Sequence, residues 1–301
     1  MKPADTPARY DVRHETVYSY SDAVPVCHNE IRLVPRELPH QRLLSNQLVI
    51  DPEPAVVSSR LDSFGNRVGM FAIEAGHRRL VVTSTSMVEV DPARDWRTRE
   101  PLPWETLRDR LTRDTDAATL AARQFACESP LVPTSPRLAS WAGESFTPSR
   151  PWHEALIDLT SRIHREFAYD PTATTTSTPV EEVFALKRGV CQDFAHLQIA
   201  CLRSLGLAAR YVSGYISNER PPGAAGQAGM VGADASHAWL ACWGGSEGWL
   251  DVDPTNDCPA GSLHVTIGWG RDYADVAPVK GVCVGGGTHG MEVAVHVSRI
   301  G

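Results

Sequence analysis

Three residues of this sequence could meet as nucleophile, base and orienting acid: Cys191, His237 and Asp253. Cys191 follows Gly189-Val190 and opens a run in which Phe194, Leu197, Gln198, Cys201 and Leu205 recur at helical spacing. A helix starting at or within one residue of Cys191 sets the sulfur against unpaired backbone N–H groups and the positive end of the helix dipole. Both favour a thiolate, and the same N–H groups can receive an oxyanion. Gly206 is placed to end that helix, with Leu207 making the apolar contact of a glycine C-cap. Most cysteines are small buried apolar residues, and Cys27, Cys127, Cys201, Cys258 and Cys283, which lack this setting, read as structural.

The stretches His237 to Trp243 and Glu247 to Asp253 read as two strands joined by Gly244-Gly245-Ser246. With a three-residue turn, Trp243 faces Glu247, Trp239 faces Asp251 and His237 faces Asp253. Directly paired residues in an antiparallel ladder share a face, with β-carbons about 4.5 to 5.5 Å apart, close enough for a carboxylate to hold an imidazole tautomer. Asp253 stands before Pro254-Thr255-Asn256, where a strand must end; the bland alternative there is a turn-capping aspartate. Taken together, the three residues predict attack of a thiolate on an amide carbonyl, with His237 protonating the leaving amine and Asp253 orienting His237. Such hydrolysis requires no cofactor and no metal, and a Zn²⁺ shared by Cys191 and His237 lacks a clear third ligand. The other histidines, His264 among them, read as ordinary. His196, about 140° round the helix from Cys191, reads as a packing or hydrogen-bonding residue.

The elements around these residues divide the chain. With 301 residues, 42% hydrophobic and 22% charged, it has globular proportions and room for two domains. Alternation of Tyr10, Val12, His14, Thr16, Tyr18 and Tyr20, and later of Leu80, Val82, Ser84, Ser86, Val88 and Val90, predicts an antiparallel β-sandwich over residues 1–92, with a hairpin turn at Phe64-Gly65-Asn66. Residues 93–150 read as a connector, helical from Pro101 to Cys127 and then a Pro/Ser-rich linker or loop. Residues 151–301 read as the core that carries the chemistry, opening with a helix from Trp152 to Phe167. A Gly/Ala-rich stretch, Pro221 to Ala235, precedes His237.

Composition also excludes some partners. A formal charge of −7, with no Lys/Arg block, argues against nucleic acid. No apolar run approaches the roughly 20 residues of a membrane span, and the first residues lack the apolar core of a leader. Seven scattered cysteines, an odd number, argue against disulfide stapling. The expectation is a cytoplasmic protein acting on a peptide or protein amide, with no nucleic acid or membrane partner.

Three blocks, Arg188-Gly189-Val190-Cys191-Gln192-Asp193-Phe194-Ala195-His196, Ser236-His237-Ala238-Trp239 and Trp249-Leu250-Asp251-Val252-Asp253-Pro254-Thr255-Asn256, together resemble the bacterial transglutaminase-like superfamily, often described as cysteine proteases. The β region with Phe64-Gly65-Asn66 resembles the domain that precedes the core in that family. The resemblance implies an α+β fold with a papain-like core, in which a helix bearing the cysteine lies against an antiparallel sheet. It carries nucleophile, base and acid onto Cys191, His237 and Asp253. By position, Tyr169 after Phe167-Ala168 becomes the candidate oxyanion donor beside the Cys191 backbone N–H. Reaction type stays open, because the superfamily holds cross-linking enzymes, peptidases, amidases and inactive relatives. Hydrolysis is the expectation; acyl transfer to an amine and non-catalytic peptide binding are the alternatives.

Overall fold

The computed structural model of the chain describes residues 7–92, 94–218, 230–232 and 235–300. Most of the Gly/Ala-rich stretch before His237 lies outside the described residues. First come β1 (Ala8–Val24), β2 (Val26–Ile31), β3 (Gln41–Asp51), β4 (Val56–Leu61), β5 (Arg67–Ile73) and β6 (His77–Val90), then α1 (Trp104–Arg113), α2 (Ala117–Arg123) and α3 (Pro136–Gly143). The next part runs α4 (Trp152–Glu166), β7 (Ala168–Tyr169), α5 (Val180–Leu186), β8 (Arg188–Gly189), α6 (Cys191–Ser204) and β9 (Ala209–Ile216). It continues with β10 (His237–Trp243), β11 (Trp249–Asp253), β12 (Cys258–Pro259), β13 (His264–Gly270) and α7 (Tyr273–Val276). The chain closes with β14 (Val279–Val284) and β15 (His289–Arg299).

Two four-stranded antiparallel sheets, ordered β15-β1-β6-β3 and β14-β2-β5-β4, form the N-terminal sandwich. The alternating residues Tyr10, Val12, His14 and Thr16 of β1 and Leu80 to Val90 of β6 are buried, so the period-two pattern marks the inner face. Two serines on that face, Ser84 and Ser86, are satisfied by the Asn46 side-chain amide at 3.1 and 2.9 Å. At the Phe64-Gly65-Asn66 turn, Gly65 takes φ 75° while Asp62 Oδ1 accepts the N–H groups of Phe64 and Asn66. Asn66 then bonds both backbone groups of Trp269 in β13, fastening the sandwich to the second sheet.

Two expected boundaries are corrected. The last strands do not join the core assigned to residues 151–301: β14 pairs with β2 and β15 with β1, each covering an otherwise open strand edge of the sandwich. The segment 93–150, expected as a helical and Pro/Ser-rich connector, packs into the core that follows it. Leu107, Leu111, Phe125, Leu138, Ala142 and Phe146 are buried in the same hydrophobic core as α4 and α6. Inside its Pro/Ser-rich part, Ser135 caps α3 by accepting the Leu138 N–H, and Pro136 fits the first turn where its missing donor is not needed.

The central sheet is antiparallel, ordered β12-β11-β10-β9-β13. Helix α6 lies against it and is buried along most of its length. At its end Gly206, at φ 79°, gives its N–H to Arg203 O while the Leu207 N–H reaches Leu202 O, a paired arrangement that satisfies the last carbonyls. Leu207 is buried beneath. The buried Arg203 guanidinium donates to Phe125 O, Ser129 Oγ, Ala209 O and Arg271 O, tying three stretches of chain to the helix. Among the described residues no helix is long and apolar enough to cross a membrane.

Candidate functional site

Helix α6 begins at Cys191, with the extended Val190 as its N-cap. The Val190 N–H is held by Asp193 Oδ2 at 2.8 Å, and the same oxygen accepts the Thr174 hydroxyl at 2.6 Å. Burial pushes the Asp193 carboxyl up, against the opposing pull of these two donors. A β-carbon on Gly189 would fall 2.6 Å from Asp193 Oδ2, so glycine is required for the carboxylate to reach back over the helix start. The half-buried Cys191 is therefore the first helical residue, where backbone N–H groups have no intrahelical acceptor.

His237 opens β10 and Asp253 ends β11, and both are fully buried. His237 Nε2 lies 2.8 Å from Asp253 Oδ2. The register that brings them together differs from expectation. Trp243 pairs with Trp249 and Ala241 with Asp251, because Gly244 to Gly248 form a five-residue connection with Gly245 and Gly248 at positive φ. Relative to a three-residue turn this is a slip of two residues, which preserves the face where a slip of one would reverse it. Extended outward, the register sets Trp239 opposite Asp253, so His237 is Asp253's diagonal neighbour, a separation that a long side chain spans.

Of the ring nitrogens, Nε2 faces the carboxylate and Nδ1 is left for the thiol. Burial opposes charge on His237, but Asp253 and the nearby Cys191 sulfur outweigh it and push the imidazole up to about 10. Nδ1 makes no hydrogen bond of good geometry to Cys191 in this resting arrangement. Alternate β10 residues Ala238, Leu240 and Cys242 pack in the core with α6, so His237 meets the cysteine around the start of its strand rather than through the sheet face.

Asp253 is held by more groups than the sequence disclosed. Oδ1 accepts the N–H groups of Thr255 at 2.9 Å and Asn256 at 3.2 Å; Oδ2 accepts His237, the Asn256 amide at 2.7 Å and His264 Nε2 at 3.3 Å. Burial alone would raise the carboxyl, but the His237 charge and the histidine donors hold it far below the usual carboxylate range. His264, expected to be ordinary, is thus a third side chain on the acid. Its Nδ1 accepts the Gly261 N–H at 3.2 Å, which leaves the ring proton on Nε2, pointed at Asp253. Ladder counting could not find it, since β13 lies three strands from β11, roughly 14 Å away in a flat sheet.

His264→Phe should lower acylation about tenfold and cost about 1 kcal/mol of stability through the lost charged hydrogen bond. Stopped-flow acylation and urea unfolding check both; unchanged acylation would make the histidine mere filler. Asp253, Cys258 and His264 also offer ligand atoms within 4.8 Å of one another. The set fits a cation poorly, because His264 directs its proton, not its lone pair, into the cluster.

Tyr169 comes to the same place. It pairs with Gly189 in the short parallel β7–β8 contact, beside the start of α6. A β-carbon on Gly232 would stand 2.9 Å from His237 Nδ1 and 3.8 Å from Tyr169 Oη, so the tyrosine hydroxyl and the free face of the imidazole flank one point. Gly232 is kept there by Val231, whose N–H donates to Asn256 Oδ1 at 2.8 Å. His196 faces elsewhere: its Nε2 accepts the Tyr273 N–H, and burial lowers it to about 4, so it stays neutral.

With this geometry in view, likeness to known proteins becomes informative. A family profile described as the bacterial transglutaminase-like N-terminal region matches residues 10–89, and one described as the transglutaminase-like superfamily matches residues 140–254. An uncharacterized protein of Mycobacterium tuberculosis is 41% identical over 281 residues, covering 91% of this chain and 87% of its own length. A protein-glutamine gamma-glutamyltransferase of Pseudomonas aeruginosa is 37% identical over 94 residues, 31% of this chain and 14% of that protein. The crystal structure of a candidate cysteine protease from Cytophaga hutchinsonii superposes with a TM-score of 0.78 at 20% identity, over 98% of this chain and 92% of the other, which shows a shared fold. Both profiles match in order, and the mycobacterial likeness runs nearly end to end: the chain belongs to the transglutaminase-like superfamily.

Proposed function

We propose that the protein is a cysteine-dependent hydrolase of amide or peptide bonds, working through a thioester acyl-enzyme with Cys191, His237 and Asp253 as its triad. The reading rests on one observation above all: a buried histidine, paired to a buried and strongly held carboxylate, stands beside a cysteine at a helix N-terminus. Cys191 Sγ attacks the carbonyl carbon, and the oxyanion is received by the Cys191 N–H with Tyr169 Oη as second donor. His237 gives its proton to the departing amine, then takes one from the water that opens the thioester. Asp253 keeps the imidazole aligned throughout. A peptide or protein amide is the proposed substrate and the cytoplasm the proposed place of action.

A second reading has its own support. The stretch similar to a protein-glutamine gamma-glutamyltransferase favours transfer, in which an amine replaces water in the second step. A glutaminyl peptide incubated with and without a primary amine separates the two. Hydrolysis releases ammonia and leaves glutamate at equal rates in both reactions. Incorporation of most of the amine would overturn the hydrolytic reading.

A further inference from the structure

We propose that Cys27 and Cys283 form an oxidisable pair that closes into a cross-strand disulfide, stapling β14 to β2. The two residues stand directly opposite each other in the antiparallel ladder. At the end of that ladder the Arg32 N–H donates to Pro278 O at 2.8 Å, marking a hydrogen-bonded site. By alternation, Ile31/Val279, Asn29/Gly281 and Cys27/Cys283 are the non-hydrogen-bonded sites, whose α-carbons approach to about 4.5 Å with side chains turned to one side. That spacing falls within the range a disulfide accepts. The neighbouring pair shows the shared face independently: a β-carbon on Gly281 would fall 2.1 Å from Asn29 Oδ1. Both cysteines also line one cavity of about 320 Å³ at the edge of the sandwich, beside Tyr20 and His289.

Their surroundings divide the labour. Cys283 is exposed and Cys27 buried. The Asn29 side-chain N–H donates to Cys27 Sγ at 3.3 Å, and His77 Nε2 lies 3.8 Å from the same sulfur. His77 Nδ1–H donates to Ala75 O at 2.9 Å, which leaves Nε2 as the acceptor for the thiol proton. With a small disulfide such as oxidised glutathione as oxidant, the Cys283 sulfur attacks, the glutathione S–S bond breaks, and one glutathione thiol leaves with the Cys283 proton. Cys27 then passes its proton to His77 and attacks the Cys283 sulfur of the mixed disulfide. The second glutathione departs and takes up that proton. Two protein thiols are oxidised and one glutathione disulfide is reduced to two thiols.

The bond would hold what is otherwise weakly held. Residues of β14 and the first half of β15 are mostly exposed, so these strands depend largely on main-chain hydrogen bonds.

The test uses the full chain, reduced and then equilibrated in glutathione buffers of increasing oxidised fraction, alkylated and peptide-mapped. A peptide linking Cys27 to Cys283 should appear as two of the seven thiols become unavailable, with the thermal midpoint raised by roughly 5 °C. Cys27→Ser and Cys283→Ser should each abolish the link and the shift. Glutathione accumulating on Cys283 while Cys27 stays fully alkylatable would overturn the proposal, as would Cys283 linking to another cysteine as often as to Cys27.

Discussion

Cys191→Ala should lower turnover by at least about 10⁴-fold and abolish the covalent acyl-enzyme, because no other group at the helix start can form a thioester. The residue is only half-buried, so the thermal midpoint should move by no more than about 2 °C. Loss of activity can then be read as lost chemistry. The direct measurement is intact-protein mass after mixing with an amide substrate or an electrophilic probe: the parent chain gains mass on Cys191 and the variant does not. Full activity in Cys191→Ala, or a probe that prefers the exposed Cys127 or Cys283, would remove the basis of the proposed function.

Asp253→Asn should cost about 10³-fold in acylation, with a distinctive pH signature. In the parent chain the carboxylate raises His237 to about 10, so the imidazolium that protonates the leaving amine persists well above neutrality. Without that charge only the Cys191 sulfur opposes burial and the imidazole falls, moving the alkaline limb of the rate profile toward neutral pH. Stability shifts with it. Asp253 is depressed in the folded chain, so its contribution is complete above the unfolded carboxylate value of about 3.9 and is lost as pH falls below it. His237 is raised, so its contribution is complete below the unfolded value of about 6.5 and is lost as pH rises toward 10. Between about pH 4 and 6.5 both operate, and the variant's thermal midpoint should fall most there. An unchanged alkaline limb would mean that Asp253 caps a turn and does not tune the histidine.

The readable parts of this molecule were those set by local periodicity. The start of α6 at Cys191 and its end at Gly206 followed from apolar spacing and a glycine, and the buried face of β1 and β6 from alternation. The shared face of His237 and Asp253 survived a wrong turn length only because the error was two residues. What escaped were contacts that strand pairing does not predict. His264 reaches Asp253 from a strand that is not its ladder neighbour. The return of β14 and β15 to the first sheets escaped because alternation such as Val293, Val295 and Val297 marks a strand without naming the partner it pairs with. The stretch from Ser129 to Pro151 read as a linker or loop because proline and serine are common in loops, yet Ser135 and Pro136 there begin a helix.

That return of the C-terminal strands has a consequence for how the protein comes off the ribosome. The sandwich's first six strands are made before the central sheet and its last two after it, so the strand edges of β1 and β2 stay open until Val279 to Arg299 emerge. During that interval two ready templates for stray chains are presented, and closure must wait on pairings of very long sequence separation. Removing β15 should therefore destabilise the sandwich that β1 begins, although most of the chain separates the two strands.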